Sequence, residues 1–188
     1  MKFVEARNEI VYRLEQHIGC SVVLSEQIAD KPEYPCCYYS VLAPRISNHA
    51  FGLRELVADA DAQIARRSEL AGATMSFTFC SMNRDTESGY IFGEDEALEL
   101  AEKAHGFFLL NAHNIHTDAG DIVINNVGPV SKRSGFLVEE TVRRYGFDVR
   151  FNFVRVDEMQ TTAILHANPC GDAHTYEGEG GKAKWQKM

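Results

Sequence analysis

The chain has 188 residues, 45% of them hydrophobic and 24% charged, which suits one ordinary globular domain, or one domain with a tail. The formal net charge is -8 and the pI about 5.4, so a broad basic surface for holding nucleic acid is excluded. No apolar run approaches the roughly 18 residues needed to cross a bilayer, and no repeat is visible.

Residues 2–18 read as a helix. Phe3, Ala6, Ile10, Leu14 and Ile18 recur at spacings of three and four, and Gly19 is a natural stop. Residues 20–24 are a short apolar run, expected as a strand, and 25–35 a Pro-containing loop. From Cys36 to Leu42, Cys37, Tyr39 and Val41 alternate with Cys36, Tyr38 and Ser40, a second strand that Pro44 is expected to end. Residues 53–67 are ambiguous. Leu53, Val57, Ala60 and Ile64 fit a helix, which alanine favours, whereas Ala58, Ala60, Ala62 and Ile64 alternating with Asp59, Asp61 and Gln63 fit a strand. Met75, Phe77 and Phe79 mark a clear strand. If 59–67 is also a strand, a hairpin turn is expected at 69–73.

Residues 93–113 form the second predicted helix. Glu94, Asp95 and Glu96 complement the dipole of its first turn, and Ala97, Ala101, Ala104 and Phe108 make a stripe able to approach a sheet closely. A turn at 118–121 leads to a strand at 122–130. The longest strand signal is 143–156, where Tyr145, Phe147, Val149, Phe151 and Phe153 occupy every second position and Asp148, Arg150 and Asn152 fill the gaps. Its aromatic face is expected beneath the two helices. Its polar face, Asp148, Arg150 and Asn152 together with Arg144, is the candidate interaction surface. Residues 161–165 could make a further short strand. Residues 158–188, rich in glycine from Gly171 onward, are read as a mobile tail to a domain of residues 1–157. The fold class is α+β: a mixed, mostly antiparallel sheet with a long hairpin and two α-helices packed on one face.

Chemistry-bearing constellations are weak. The charged, amphipathic start of the chain and the odd count of five cysteines point to reduced thiols in a cytoplasm. Cys36 and Cys37 lie in a strand beside tyrosines and read as core rather than nucleophiles. His166, Cys170 and His174, spaced by four and four, are the sharpest metal candidate. They come from one Gly-rich segment, whereas structural zinc sites pair short spacings from two segments. His113, His116, Asp118 and Asp121 read as helix termination. The run from Gly178 to Lys182 fails as a P-loop, because Tyr176 stands where its first glycine belongs and Ala183 where Ser or Thr holds magnesium. The expectation is no catalytic residue, no cofactor, no committed metal site and no enzyme.

The run Arg143-Arg144-Tyr145-Gly146-Phe147-Asp148-Val149-Arg150-Phe151 resembles the closing strand of phage neck or tail terminator (tail completion) proteins, with Glu139-Glu140 upstream in keeping. Residues 95–105 resemble that family's second helix, 35–42 its Pro-then-aromatic strand and 75–79 its central hairpin strand. The likeness favours strand over helix for 53–67. It implies a structural virion protein of the tail or neck, assembled in the bacterial host cytoplasm. It further implies a homo-oligomeric ring, commonly a hexamer, at the head-proximal end of the tail. Such a ring stops tube polymerisation and contacts the tail tube protein and the head-completion or connector protein, while DNA passes through without specific binding and no membrane is involved. Two alternatives stand beside it: another head–tail joining adaptor, or a small metal-binding protein using His166, Cys170 and His174.

Overall fold

Two strands of exceptional length carry the molecule. The computed structural model describes residues 1–26, 32–47, 52–59, 62–87, 89–110, 115–133 and 141–161. In it, β4 (Ala62–Met82) and β10 (Val142–Thr161) pair antiparallel without interruption from Val142 opposite Met82 to Thr161 opposite Gln63. At a rise of ~3.3 Å per residue each strand runs for roughly 65–70 Å.

Around this pair the chain lays α1 (Phe3–Ile18), β1 (Val22–Leu24), β2 (Cys36–Ser47), β3 (Leu53–Asp59), a small hairpin of β5 (Arg84–Thr86) and β6 (Gly89–Ile91), α2 (Gly93–Leu110), β7 (Ile115–Thr117), β8 (Gly120–Val127) and β9 (Ser131–Lys132). The main sheet has the order β1-β2-β4-β10-β8-β7, with β3 joined to β4 and β9 to β10. Among the described residues only the β1–β2 pair is parallel. The fold is the expected α+β class.

Period-two alternation sorts the two faces of the sheet. Ala71, Ala73, Met75, Phe77 and Phe79 of β4 and Phe147, Val149, Phe151 and Phe153 of β10 all point to the helix side and are buried. Both helices bury their stripes there: Ala6, Ile10, Leu14 and Ile18 from α1, and Ala101, Ala104, Phe107 and Phe108 from α2. The alanines let α2 sit close, so Phe108 reaches within 5.2 Å (ring centroids) of Phe77 and 5.9 Å of Phe147. Gly19, at φ 78°, closes α1 and donates its N–H to the Glu15 carbonyl. Gly93 opens α2 against Met82, where a Cβ would stand 2.5 Å from the backbone. The acids of the first turn serve as more than dipole partners. The Glu96 carboxylate accepts from Arg84 at 2.7 Å and from the Ser81 hydroxyl, and Glu94 accepts from Lys132 at 2.6 Å and Tyr145 at 2.9 Å.

Several boundaries differ from the expectation. Pro44 does not end β2. The β2–β4 register shifts between Val41 and Ala43 and between Ala43 and Ile46, so Pro44 sits in an irregularity where no ladder N–H is required. Residues 53–59 and 62–67 are strand, but no turn occurs at 69–73. Those residues lie inside β4, which pairs with β3 from Leu53 opposite Ser68 to Asp59 opposite Ala62. The predicted 122–130 strand ends at Val127, and β10 continues past Asp157 to Thr161. The second helix is described to Leu110, and residues 111–114 and 162–188 lie outside the described set.

Candidate functional site

The face of β10 turned away from the helices brings Arg144, Gly146, Asp148, Arg150 and Asn152 into one row, with Cys80, Thr78, Ser76, Thr74 and Gly72 of β4 directly opposite them. All four interface candidates from the sequence therefore share one face. Both described helices lie on the other.

Three of the four are built into distinct local environments. Asp148 accepts a hydrogen bond from the Ser76 hydroxyl at 2.6 Å and another from Arg133 Nη2 at 2.8 Å. Arg133 also donates through Nη1 to Ser76 Oγ (2.6 Å), Thr78 Oγ1 (2.9 Å) and the Phe77 carbonyl (3.3 Å), so one guanidinium ties β4 to β10 across the open face. Gly146 makes room for it. A Cβ there would stand 2.2 Å from the Phe77 oxygen and 2.9 Å from Arg133 Nε. Partial burial pushes the Asp148 carboxyl up, but the Ser76 and Arg133 hydrogen bonds outweigh burial and hold it below the ordinary aspartate value. Asn152 lies over Gly72 with its Oδ1 fully buried and without a hydrogen-bond donor among the described residues. Arg150, opposite Thr74 and beside Asn126 of β8, is exposed and has no carboxylate partner among the described residues. Arg144 is half-buried, and its carbonyl accepts the Arg133 N–H at 2.8 Å.

At one end of the same face, Cys36, Cys80 and Val142 make a small buried cluster flanked by Tyr34 and Tyr38. Cys37 points to the main core instead. Burial pushes the Cys20 thiol up to about 11 and the Cys37 thiol well above its ordinary value, and a hydrogen bond with Cys36, then burial, raises Cys80. These three thiols are protonated at neutral pH and packed, unlike activated nucleophiles.

At the other end of the sheet, on its helix-side face, Glu69 is 4% exposed and its carboxylate is held between Arg45 and Arg67, with Asp157 bound in turn by Arg67 and Arg155. The Arg67 hydrogen bond dominates and keeps the Glu69 carboxyl below its ordinary value. The network closes the core where β4 and β10 leave the helices. Arg66, next in sequence, points to the opposite face and binds Glu158 at 2.7 Å and Glu55 at 3.6 Å. The basic pair Arg66-Arg67 is divided between two ion networks. Neither network, nor the role of Arg133, was visible in the sequence, because each joins residues whose register only the folded sheet defines.

The metal candidates divide. His166, Cys170 and His174 lie outside the described residues, as does His113. His116 meets Asp121 at 2.7 Å across the β7–β8 turn, and among the described residues no group of three His, Cys, Asp or Glu side chains is placed to hold a metal ion. No described helix is long and apolar enough to cross a membrane.

One face of the sheet thus lies under the two helices and the other presents an ordered polar row, the architecture of a two-layer α+β domain. The phage neck terminator protein family model matches residues 8–179, and the chain belongs to that family. Its members are structural proteins of the phage neck. No curated protein matches the chain.

Proposed function

We propose that the chain is the neck subunit that forms a ring, commonly of six copies, at the head-proximal end of the tail. There it stops tube polymerisation and joins the tail to the head connector. The observation that carries this reading is the family match over residues 8–179. The open face of β10 supports it. Arg150 is exposed, the Asn152 Oδ1 lacks a donor among the described residues, and Asp148 is pre-positioned by Ser76 and Arg133. We assign Arg144, Asp148, Arg150 and Asn152 to contact with a neighbouring particle protein or with the ring lumen. The net charge of -8 suits a conduit that repels duplex phosphates, so that DNA passes without specific binding. Normal DNA ejection after reversal of the lumen acids would remove that last element.

The test is to prevent synthesis of the protein during phage growth and image the lysate. The reading predicts tail tubes of variable and extended length, unattached to filled heads. Tubes of normal length joined to heads would refute it. Tubes of normal length left unjoined would favour another head–tail joining adaptor.

A further inference from the structure

Beyond the core, the sheet continues as a three-stranded arm. Its strands are β3, the 62–70 part of β4 and the 154–161 part of β10. It extends about 30 Å past the last buried core residues, Ala71 and Phe153. Both of its edges are open among the described residues. β3 pairs with β4 alone, and β8 covers β10 only from Val149 to Phe153, with the Met1 amino group capping the Val154 carbonyl. Soluble proteins blunt such edges with proline, bulges, short strands or charged side chains, and this arm carries charges of both signs, Arg54, Glu55 and Asp59 on one edge and Arg155, Asp157 and Glu158 on the other. Here both arm registers run without a shift, no proline falls in 53–59 or 154–161, and Leu53, Leu56 and Met159 are each about two-thirds exposed.

The two edges are complementary. β3 and β10 each run antiparallel to β4, so they are parallel to one another and lie on opposite sides of the arm. Across the arm, Arg54 shares a row with Arg67 and Asp157, and Leu56 shares the next row on that face with Ala65 and Met159. If β3 of one copy lies beside β10 of the next in the same register, Arg54 comes beside Asp157, Leu56 beside Met159 and, on the other face, Leu53 beside Val156. Glu55 comes beside Glu158, and each copy's Arg66 flanks the pair.

We propose that the arm is a self-association device: the outer edge of β3 in one copy adds in parallel to the 154–161 edge of β10 in a second copy. The contact uses two different surfaces and repeats with a constant rotation, an arrangement that closes into a ring when that rotation divides a full turn. The inference rests on the ring reading above and specifies which surfaces build the ring.

Cysteine cross-linking on isolated tails tests it. Within one copy, residues 56 and 159 flank β4 at about 10 Å, beyond disulfide reach. Phage carrying the double variant Leu56→Cys/Met159→Cys is oxidised with copper phenanthroline, beside wild type and each single variant. The result expected is a ladder of covalent multimers in the double variant alone, with the 56–159 peptide identified by mass. The exposed positions keep the thermal midpoint of the purified variants at the wild-type value. Rings visible on the tails without any intermolecular 56–159 link would overturn the arm contact and leave the ring reading standing. A link from residue 159 to the same chain's 162–188 segment would also overturn it, since that edge would already be filled. Wild-type tails bearing no ring at all would overturn the ring reading itself.

Discussion

Arg150 and Phe151 are neighbours in β10 whose side chains leave the strand on opposite faces, so substituting each in turn separates folding from assembly. Phe151 is fully buried, stacked 6.4 Å from Phe3 of α1 and tilted 6.1 Å from Phe153. Truncating such a ring to alanine loses its transfer energy and leaves a cavity, together ~3–5 kcal/mol. In a chain of this size each kcal/mol moves the thermal midpoint by about 2–4 °C, so Phe151→Ala is expected to lower it by roughly 6–20 °C. Arg150 is exposed and has no ion-pair partner among the described residues. Arg150→Glu is therefore expected within ~0.5 kcal/mol of wild type, about 2 °C or less. The assay is thermal unfolding by circular dichroism on the purified chain, followed by complementation of phage lacking the protein. Arg150→Glu should fold normally and complement poorly. Loss of folded Arg150→Glu, or a Phe151→Ala midpoint equal to wild type, would show that the two faces of β10 are assigned the wrong way round.

Further outcomes follow from the same geometry. Gly146→Ala forces a methyl group against the Phe77 carbonyl and Arg133, and should destabilise by ~1–3 kcal/mol in urea unfolding. Asp148→Asn should cost less, since the Ser76 and Arg133 hydrogen bonds survive in part. The carboxyls of Glu69, Glu96, Asp148 and Asp157 are all held below their ordinary values, 4.5 for glutamate and 3.8 for aspartate. A lowered folded-state value contributes stability that is present above the unfolded value and lost as pH falls through the folded one. The urea midpoint should thus be flat from neutrality down to about pH 5 and fall below about pH 4. Glu69→Gln removes one of these contributions. It should cost ~1–2 kcal/mol at pH 7, discounted for the half-exposed Arg45, and progressively less as pH falls below the ordinary glutamate value. Metal analysis of the purified full chain should find no stoichiometric zinc. Zinc that disappears in His174→Ala would favour the metal-binding alternative.

What the sequence made legible follows from where local pattern and tertiary packing agree. The alternation from Tyr145 to Phe153 and the Ala97–Ala101–Ala104–Phe108 stripe survived intact, because residues at period two or at helical spacing share a face whatever lies next to them. The 53–67 segment could not be settled by periodicity. Its alanines favour a helix, but pairing with β4, itself paired on the far side with β10, overrides that local preference. The hairpin turn was misplaced for a related reason. Glu69 to Ala73 contains Gly72 and small residues that read as a turn, but Gly72 serves close approach: a Cβ there would stand 3.0 Å from Asn152 Oδ1. Pro44 misled because an interior ladder excludes proline and an irregular one does not. At the candidate site, the polar row of β10 was legible as a row. Its connection to Arg133 was not, since Arg133 reaches Ser76 and Thr78 more than fifty residues away in sequence.

A reconstruction of the phage neck by electron cryo-microscopy tests the central claim most directly. The expected result is a closed ring of this chain capping the tail tube, with the β10 row at Arg150 and Asn152 against a neighbouring protein or the lumen. A tube end that lacks this chain, or a single unringed copy with that row facing bulk water, would contradict it.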